Sequence, residues 1–144
     1  MKTIRTLCAL AASLFFISCA GPIGKDEADE FVGTYSVHIT EYVRWGYDSG
    51  TLTDSGTLYI EKVSSNSVKT TGMFRTTGRI IGTSIYLDAI YSSDSSGYLN
   101  TTFSSAMLIG NTLRITGNTT GQLKYNGTMY PYSSRQTINA TKIQ

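Results

Sequence analysis

Two glutamates, one histidine and a group of aromatic side chains carry the chemistry this chain can offer. Glu41 and Glu61 form a candidate carboxylate pair. Glycoside hydrolysis needs one acid to protonate the leaving oxygen and a second to attack or to activate water, at roughly 5 to 10 Å. Glu41, however, continues the apolar set Tyr35, Val37 and Ile39, whereas Glu61 falls out of step with Leu58 and Ile60. Period two therefore sends the two carboxylates to opposite faces. His38, the single histidine, stands between Ser36 and Thr40 on the polar side of its segment. One imidazole without clustered partners makes neither a metal site nor the base of a nucleophile. The expectation is a non-enzymatic protein with no metal and no cofactor, a carboxylate hydrolase being the lesser alternative.

The aromatic residues point to binding. Tyr42, Trp45 and Tyr47 surround the segment 44–54, and Tyr130 and Tyr132 flank Pro131. Flat rings with a polar tip suit recognition at wet surfaces, where they stack on sugars or line a cavity mouth. The alternative is that these are ordinary cross-strand tyrosines. Glu41, placed inward near the same loop, is a candidate partner for a polar ligand group; the competing reading has it in water or paired with Arg44 or Lys62. Phe103 belongs to an expected inward set of Ile85, Leu87, Ala89 and Tyr91 with Leu99, Thr101, Ser105 and Met107. The ligand-binding candidates are thus Glu41, Trp45, Tyr47, Phe103, Tyr130 and Tyr132.

The elements that must position these residues read as strands. From Gly33 the pattern has period two, with Tyr35, Val37, Ile39 and Val43 against Thr34, Ser36, His38, Thr40 and Tyr42. Further strands are expected over 55–63, 68–80, 84–91, 98–108, 112–118, 121–125, 128–133 and 136–143. Turn signals lie between them at 64–67, 92–97 and Asn126-Gly127, the last favouring a two-residue hairpin. No helical repeat appears in the domain. Ile80 to Leu87 echoes Leu108 to Ile115, which predicts two hairpins of one design. If strands alternate in direction, the two echoed turns, the 44–54 loop and the Asn126-Gly127 turn share one end, and the serine-rich turns the other. Eight or nine antiparallel strands leave two exposed edges unless the sheet closes, so an all-β up-and-down barrel over 31–144 is expected, with a two-sheet sandwich as runner-up.

The opening Phe31-Val32-Gly33-Thr34-Tyr35 resembles the Gly-x-Trp start of the first strand in calycins, the lipocalin-like barrels, with tyrosine in place of tryptophan. The resemblance implies structural roles for Gly33 and Tyr35, and a basic residue near the last strand, Arg135, covering Tyr35 by a cation–π contact. It also implies a lumen that is either packed by its own side chains or holds one small ligand.

Lys2 and Arg5 precede the apolar run Leu7 to Ile17, a charged n-region and an h-region too short to cross a bilayer. Phe16-Ile17-Ser18-Cys19 resembles the lipobox of bacterial lipoproteins. That resemblance implies a signal peptide over 1–18, lipid on Cys19, and a place in the cell envelope on the outer membrane of a Gram-negative bacterium, on either its periplasmic or its surface face. The alternative is an ordinary signal peptide cleaved nearby. Residues 19–30 then read as a lipidated start and a flexible acidic tether. With the signal removed the two cysteines reduce to Cys19, so no disulfide forms inside the domain.

Twelve basic residues less Lys2 and Arg5 balance ten acidic ones, which removes the electrostatic basis for nucleic-acid binding. The expected partners are the membrane, through the lipid, and a small amphipathic ligand or glycan. The alternative is a packed barrel serving as an interaction or inhibitor module of an envelope protein.

Overall fold

The computed structural model describes residues 26–144. The signal segment 1–18, Cys19 and residues 20–25 lie outside the described residues. A one-turn helix, α1 (Glu27–Phe31), leads into ten strands: β1 (Gly33–Trp45), β2 (Asp48–Ser64), β3 (Ser67–Gly72), β4 (Thr76–Ile81), β5 (Ser84–Leu87), β6 (Ile90–Asp94), β7 (Gly97–Phe103), β8 (Ala106–Ile109), β9 (Thr112–Tyr125) and β10 (Thr128–Lys142).

Eight of these close into an antiparallel barrel in the order β1-β2-β3-β4-β5-β8-β9-β10, and β10 pairs back onto β1. Closure decides for the barrel over the sandwich. β6 and β7 are the two additional strands. They pair only with each other and with β9, and their register, Ile90↔Thr101 through Asp94↔Gly97, is the continuation of Ser84↔Met107 in the β5–β8 pair. The chain therefore still meanders up and down, with the β6–β7 hairpin prolonging β5 and β8 beyond the closed wall.

The expected strands fall into different pieces, each for a local reason. The segment 44–54 is not a loop: β1 and β2 stay paired up to Trp45↔Asp48 around a turn at Gly46-Tyr47. The alternation Thr51, Leu52, Thr53 sustains the ladder despite the polar composition. The stretch 68–80 reverses at 73–75, after Gly72 at φ 96°, where the Thr70 hydroxyl donates to the Phe74 and Thr76 carbonyls and accepts from the Thr76 N–H. That extra reversal regroups the turns. The 46–47, 95–96 and 126–127 connections share one end, the hairpin end, and the 73–75 corner faces the same way but lies lower, at the level of Thr57; the 65–66, 82–83 and 110–111 connections share the other end with α1. The echoed turns thus sit opposite the Trp45 turn, not beside it. Both keep glycine at φ 60°, Gly82 and Gly110, and Asn126-Gly127 adopts the double positive φ of a tight hairpin, 48° and 84°.

The expected inward set is right only in part. Breaks at Asp88-Ala89 and Ser104-Ser105 reset the alternation, so Ile85, Leu87, Leu99, Thr101 and Phe103 face in, while Ala89, Tyr91, Ser105 and Met107 are exposed. Ile90 and Ala106 take the inward places instead. The segments 112–118 and 121–125 merge into β9, and 128–133 and 136–143 into β10, which carries Pro131 within it.

Toward the helix end the lumen is packed solid by Tyr35, Val37, Leu58, Ile60, Ile85, Leu113, Ile115 and Ile138, all at most 2 % exposed. The acidic tether ends sooner than expected, because residues 27–31 are helical and Ala28 and Phe31 plug this end of the core. Ala28 N–H donates to Ser65 O (3.1 Å), and Lys62 holds both Asp26 and, at 2.9 Å, Asp29. Tyr35 lies within the core and its hydroxyl donates to the Phe31 carbonyl at 2.7 Å. Arg135 does not cover it: that side chain is exposed on the outer face, in register with Tyr42. Gly33 abuts the chain end, where a Cβ would stand 2.3 Å from the Gln144 carbonyl oxygen.

Phe31→Ala should cost about 3 kcal/mol through the cavity it leaves, read as a lowered urea midpoint. Burial pushes the Tyr35 phenol up to about 12 from 10.0, so the folded state holds this proton more tightly than the unfolded chain. The associated stability is intact below pH 10 and is lost as pH rises toward 12. Tyr35→Phe should flatten that alkaline fall while costing about 1 kcal/mol at neutral pH, since the Phe31 carbonyl loses its donor.

Candidate functional site

The barrel wall is incomplete toward the hairpin end. Among the described residues, β2 beyond Leu58 pairs only with β1, because β3 stops at Gly72, and β6 pairs only with β7. What rises above the core is an open six-stranded trough, β2-β1-β10-β9-β7-β6, with the free edges of β2 and β6 facing across the gap. The 73–75 corner fills the base of that gap. Met73 packs over Gly56, where a Cβ would lie 2.1 Å from its sulfur, and Phe74 stacks on Phe103 with centroids 5.4 Å apart and planes at 25°.

Register assigns the trough's concave face. Residues paired across antiparallel strands share a side, so the row Leu52, Glu41, Gln136, Gly117, Phe103 faces inward, as do Asp48, Trp45, Tyr132 and Gly121 further out. At the base, Ile39, Glu41, Asp54, Met73, Phe74, Ile90, Thr101, Phe103 and Gln136 line a cleft of about 270 Å³. Glu41 accepts hydrogen bonds from Gln136 Nε2 (3.0 Å) and the Tyr132 hydroxyl (3.3 Å), so it pairs with neither Arg44 nor Lys62. Burial, with the Glu41 charge adding to it, raises the Tyr132 phenol above its ordinary value. Ser134, 6 % exposed and on the same face, makes no hydrogen bond through its Oγ among the described residues, and its nearness to the Tyr132 phenol opposes that rise.

At the rim the β1–β2 and β9–β10 turns lie side by side because β1 and β10 are neighbours. Trp45 meets Tyr125 edge-on (5.4 Å, 83°) and Tyr130 likewise (6.4 Å, 82°). Trp45, Gly46, Tyr47, Asp48, Tyr125 and Tyr130 line a second cleft of about 370 Å³, with Tyr47 fully exposed at the turn.

The six sequence candidates thus divide into two neighbouring groups on one face. Trp45, Tyr47 and Tyr130 meet at the rim; Glu41 and Phe103 line the base, with Tyr132 bonded to Glu41 between them. Tyr125, Asp48, Gln136 and Phe74 escaped sequence reasoning. Tyr125 directly precedes Asn126-Gly127, and the signal that would have found it was that turn's placement beside the Trp45 turn. Phe74 was hidden inside a segment read as continuous strand.

The other candidates for chemistry lie apart. Glu61 is on the outer face, paired with Lys69 at 2.7 Å, and His38 is exposed with Nδ1 3.0 Å from Ser55 Oγ. Among the described residues no three histidine, cysteine or acidic side chains converge on a point that would hold a metal ion. The chain matches no family of known proteins, no curated protein sequence and no solved structure.

Phe74→Ala should unstopper the base of the trough. An environment-sensitive dye such as anilinonaphthalene sulfonate should then bind with increased fluorescence, at a stability cost of about 2 to 3 kcal/mol for a half-buried ring; no dye uptake would mean the corner does not gate access to the core.

Proposed function

We propose that this chain is a non-enzymatic envelope lipoprotein, anchored by lipid on Cys19 to the outer membrane of a Gram-negative cell, that binds a small amphipathic molecule or glycan at the open end of its barrel. One observation carries the binding role: the single tryptophan and three tyrosines gather on one cleft at the rim of a trough whose deeper wall is polar. A ligand with an apolar or ring-shaped part would lay it against Trp45 and Tyr130 and turn its polar groups to Glu41, Gln136 and the strand hydroxyls, as small-molecule sites commonly do. The packed helix end leaves the deep lumen no room, so the ligand sits in the trough and not in the bottom of the barrel.

The lipid and the trough suit one another in placement. From Cys19 to Asp26 the chain spans at most about 25 Å when extended. It enters at α1, at the end opposite the rim. A protein tethered there would present its open end away from the bilayer.

A second reading, docking onto an envelope protein, is favoured by the free edges. Among the described residues, 48–56 of β2 and 90–94 of β6 carry ladder groups with no neighbour strand on their outer side, the geometry that accepts an added strand.

Native mass spectrometry of protein exported to a bacterial periplasm should show an added mass that denaturation removes, absent in Trp45→Ala/Tyr130→Ala with the β-rich circular dichroism retained. An adduct of equal occupancy in the variant would overturn the site. Cys19→Ser should move the protein from the membrane to the soluble fraction, and retention with the membrane would refute the anchor.

A further inference from the structure

We infer that the ligand of the open end is cationic: an apolar or ring-bearing body with an ammonium or guanidinium head. This deepens the binding role proposed above and rests on it.

The trough is a single layer with solvent on both sides, and its charges sort by side. On the concave face, register places Glu41 of β1, Asp48 and Asp54 of β2 and Asp94 of β6. Arg44, Lys124 and Arg135, the three basic residues of the same six strand segments, all fall on the opposite face. Arg75 lies in the corner and lines a separate cleft with Asp88. Among the described residues the concave side therefore presents carboxylates with no cation facing them, and an anionic head group entering it would meet like charge.

Two independent features give that charge something to act with. The rim cleft holds Asp48 among Trp45, Tyr47, Tyr125 and Tyr130; aromatic faces attract cations through the ring quadrupole, tryptophan most strongly, and a neighbouring carboxylate adds to the attraction. Deeper in, among the described residues, the buried Ser134 hydroxyl on the trough face has no hydrogen-bond partner, and Glu41 accepts hydrogen bonds from Tyr132 and Gln136 alone, both neutral. A bound cation would supply the donor that Ser134 lacks and the positive charge that Glu41 lacks. Of the two ligand classes considered, a neutral glycan would use the rings but leave the sorting of charge without consequence.

The test uses the purified full-length protein with three probes of one chain length, each below its micelle concentration: decylammonium, decyl maltoside and decyl sulfate. Trp45, the sole tryptophan, reports occupancy by its own emission. Decylammonium should bind about tenfold more tightly than the maltoside and tighter still than the sulfate, and the preference should shrink as salt is raised. Asp48→Asn with Glu41→Gln should reduce the cation-to-maltoside ratio to about threefold or less; if the double variant fails to fold by circular dichroism, Asp48→Asn alone must lower the ratio. Equal affinity for the cationic and neutral probes, or a preference for sulfate, would overturn the cationic selectivity and leave the binding role standing. Failure of all three probes to bind would overturn both.

Discussion

Eleven residue pairs join β1 to β10, from Tyr35↔Lys142 to Trp45↔Tyr132, and this seam does two things at once. Its helix-end half, through Val37↔Ala140 and Ile39↔Ile138, converts a meander with two open edges into a closed wall around an apolar lumen. Its hairpin-end half runs on past the core and carries the Trp45 turn up beside the Asn126-Gly127 turn. Without the seam β1 and β10 would each expose a row of unpaired N–H and C=O groups, a standing invitation to aggregate, and Trp45 would have neither Tyr125 nor Tyr130 as a neighbour.

The barrel ends where β3 and β4 end. Gly72, at φ 96°, sits where a Cβ would come within 2.2 Å of the Thr57 carbonyl oxygen, so glycine alone fits there; Met73 N–H donates to that same oxygen at 3.0 Å, and the chain then leaves β2 and reverses through Met73 to Arg75. Past that level two strands are missing from the wall. The same molecule is consequently a packed cylinder at one end, sealed by Phe31 and Ala28, and a half-pipe at the other, with the Phe74–Phe103 stack as the partition. The stability of the domain resides below the partition, where apolar side chains leave water. Above it the ladder hydrogen bonds are the main support, each contributing about 1 kcal/mol net.

Fold class was legible because alternation over β1, and over β9 and β10 in pieces, has no helical competitor, and because a long meander has few ways to hide its edges. Boundaries failed where polar composition was taken for irregularity. Residues 48–54 hold no apolar side chain except Leu52, since both faces of a single-layer strand meet water and the usual contrast of apolar against polar vanishes. The inward set failed at Asp88-Ala89 and Ser104-Ser105 because a break that resets parity leaves no mark in composition. The one-turn helix was too short to show a period, and its acidic run described a tether equally well; only the burial of Ala28 and Phe31 distinguishes the two. The site was read further than the topology. Trp45, Tyr47, Tyr130 and Glu41 were singled out by residue type, whereas Tyr125 and Asp48 required knowing which turns touch.

A strand in a closed barrel has its pattern dictated by packing: one side must be apolar, and little can be learned from it about anything outside the molecule. The half-pipe is released from that duty. Its seven charged residues, Glu41, Arg44, Asp48, Asp54, Asp94, Lys124 and Arg135, could be distributed over its two wetted faces in any arrangement without affecting a core, and surface charges of this kind contribute little to stability. Gathering the acids on one face in fact costs something, because like charges on one concave surface repel and gain nothing from the bases behind the sheet. Glu41 in particular is drawn into a half-buried position by two neutral donors when an outward place was available to it. A pattern that folding does not require, and that electrostatics within the chain mildly opposes, is the physical ground on which the proposed cationic ligand rests, because the closed barrel's own strands, bound by packing, carry no comparable freedom.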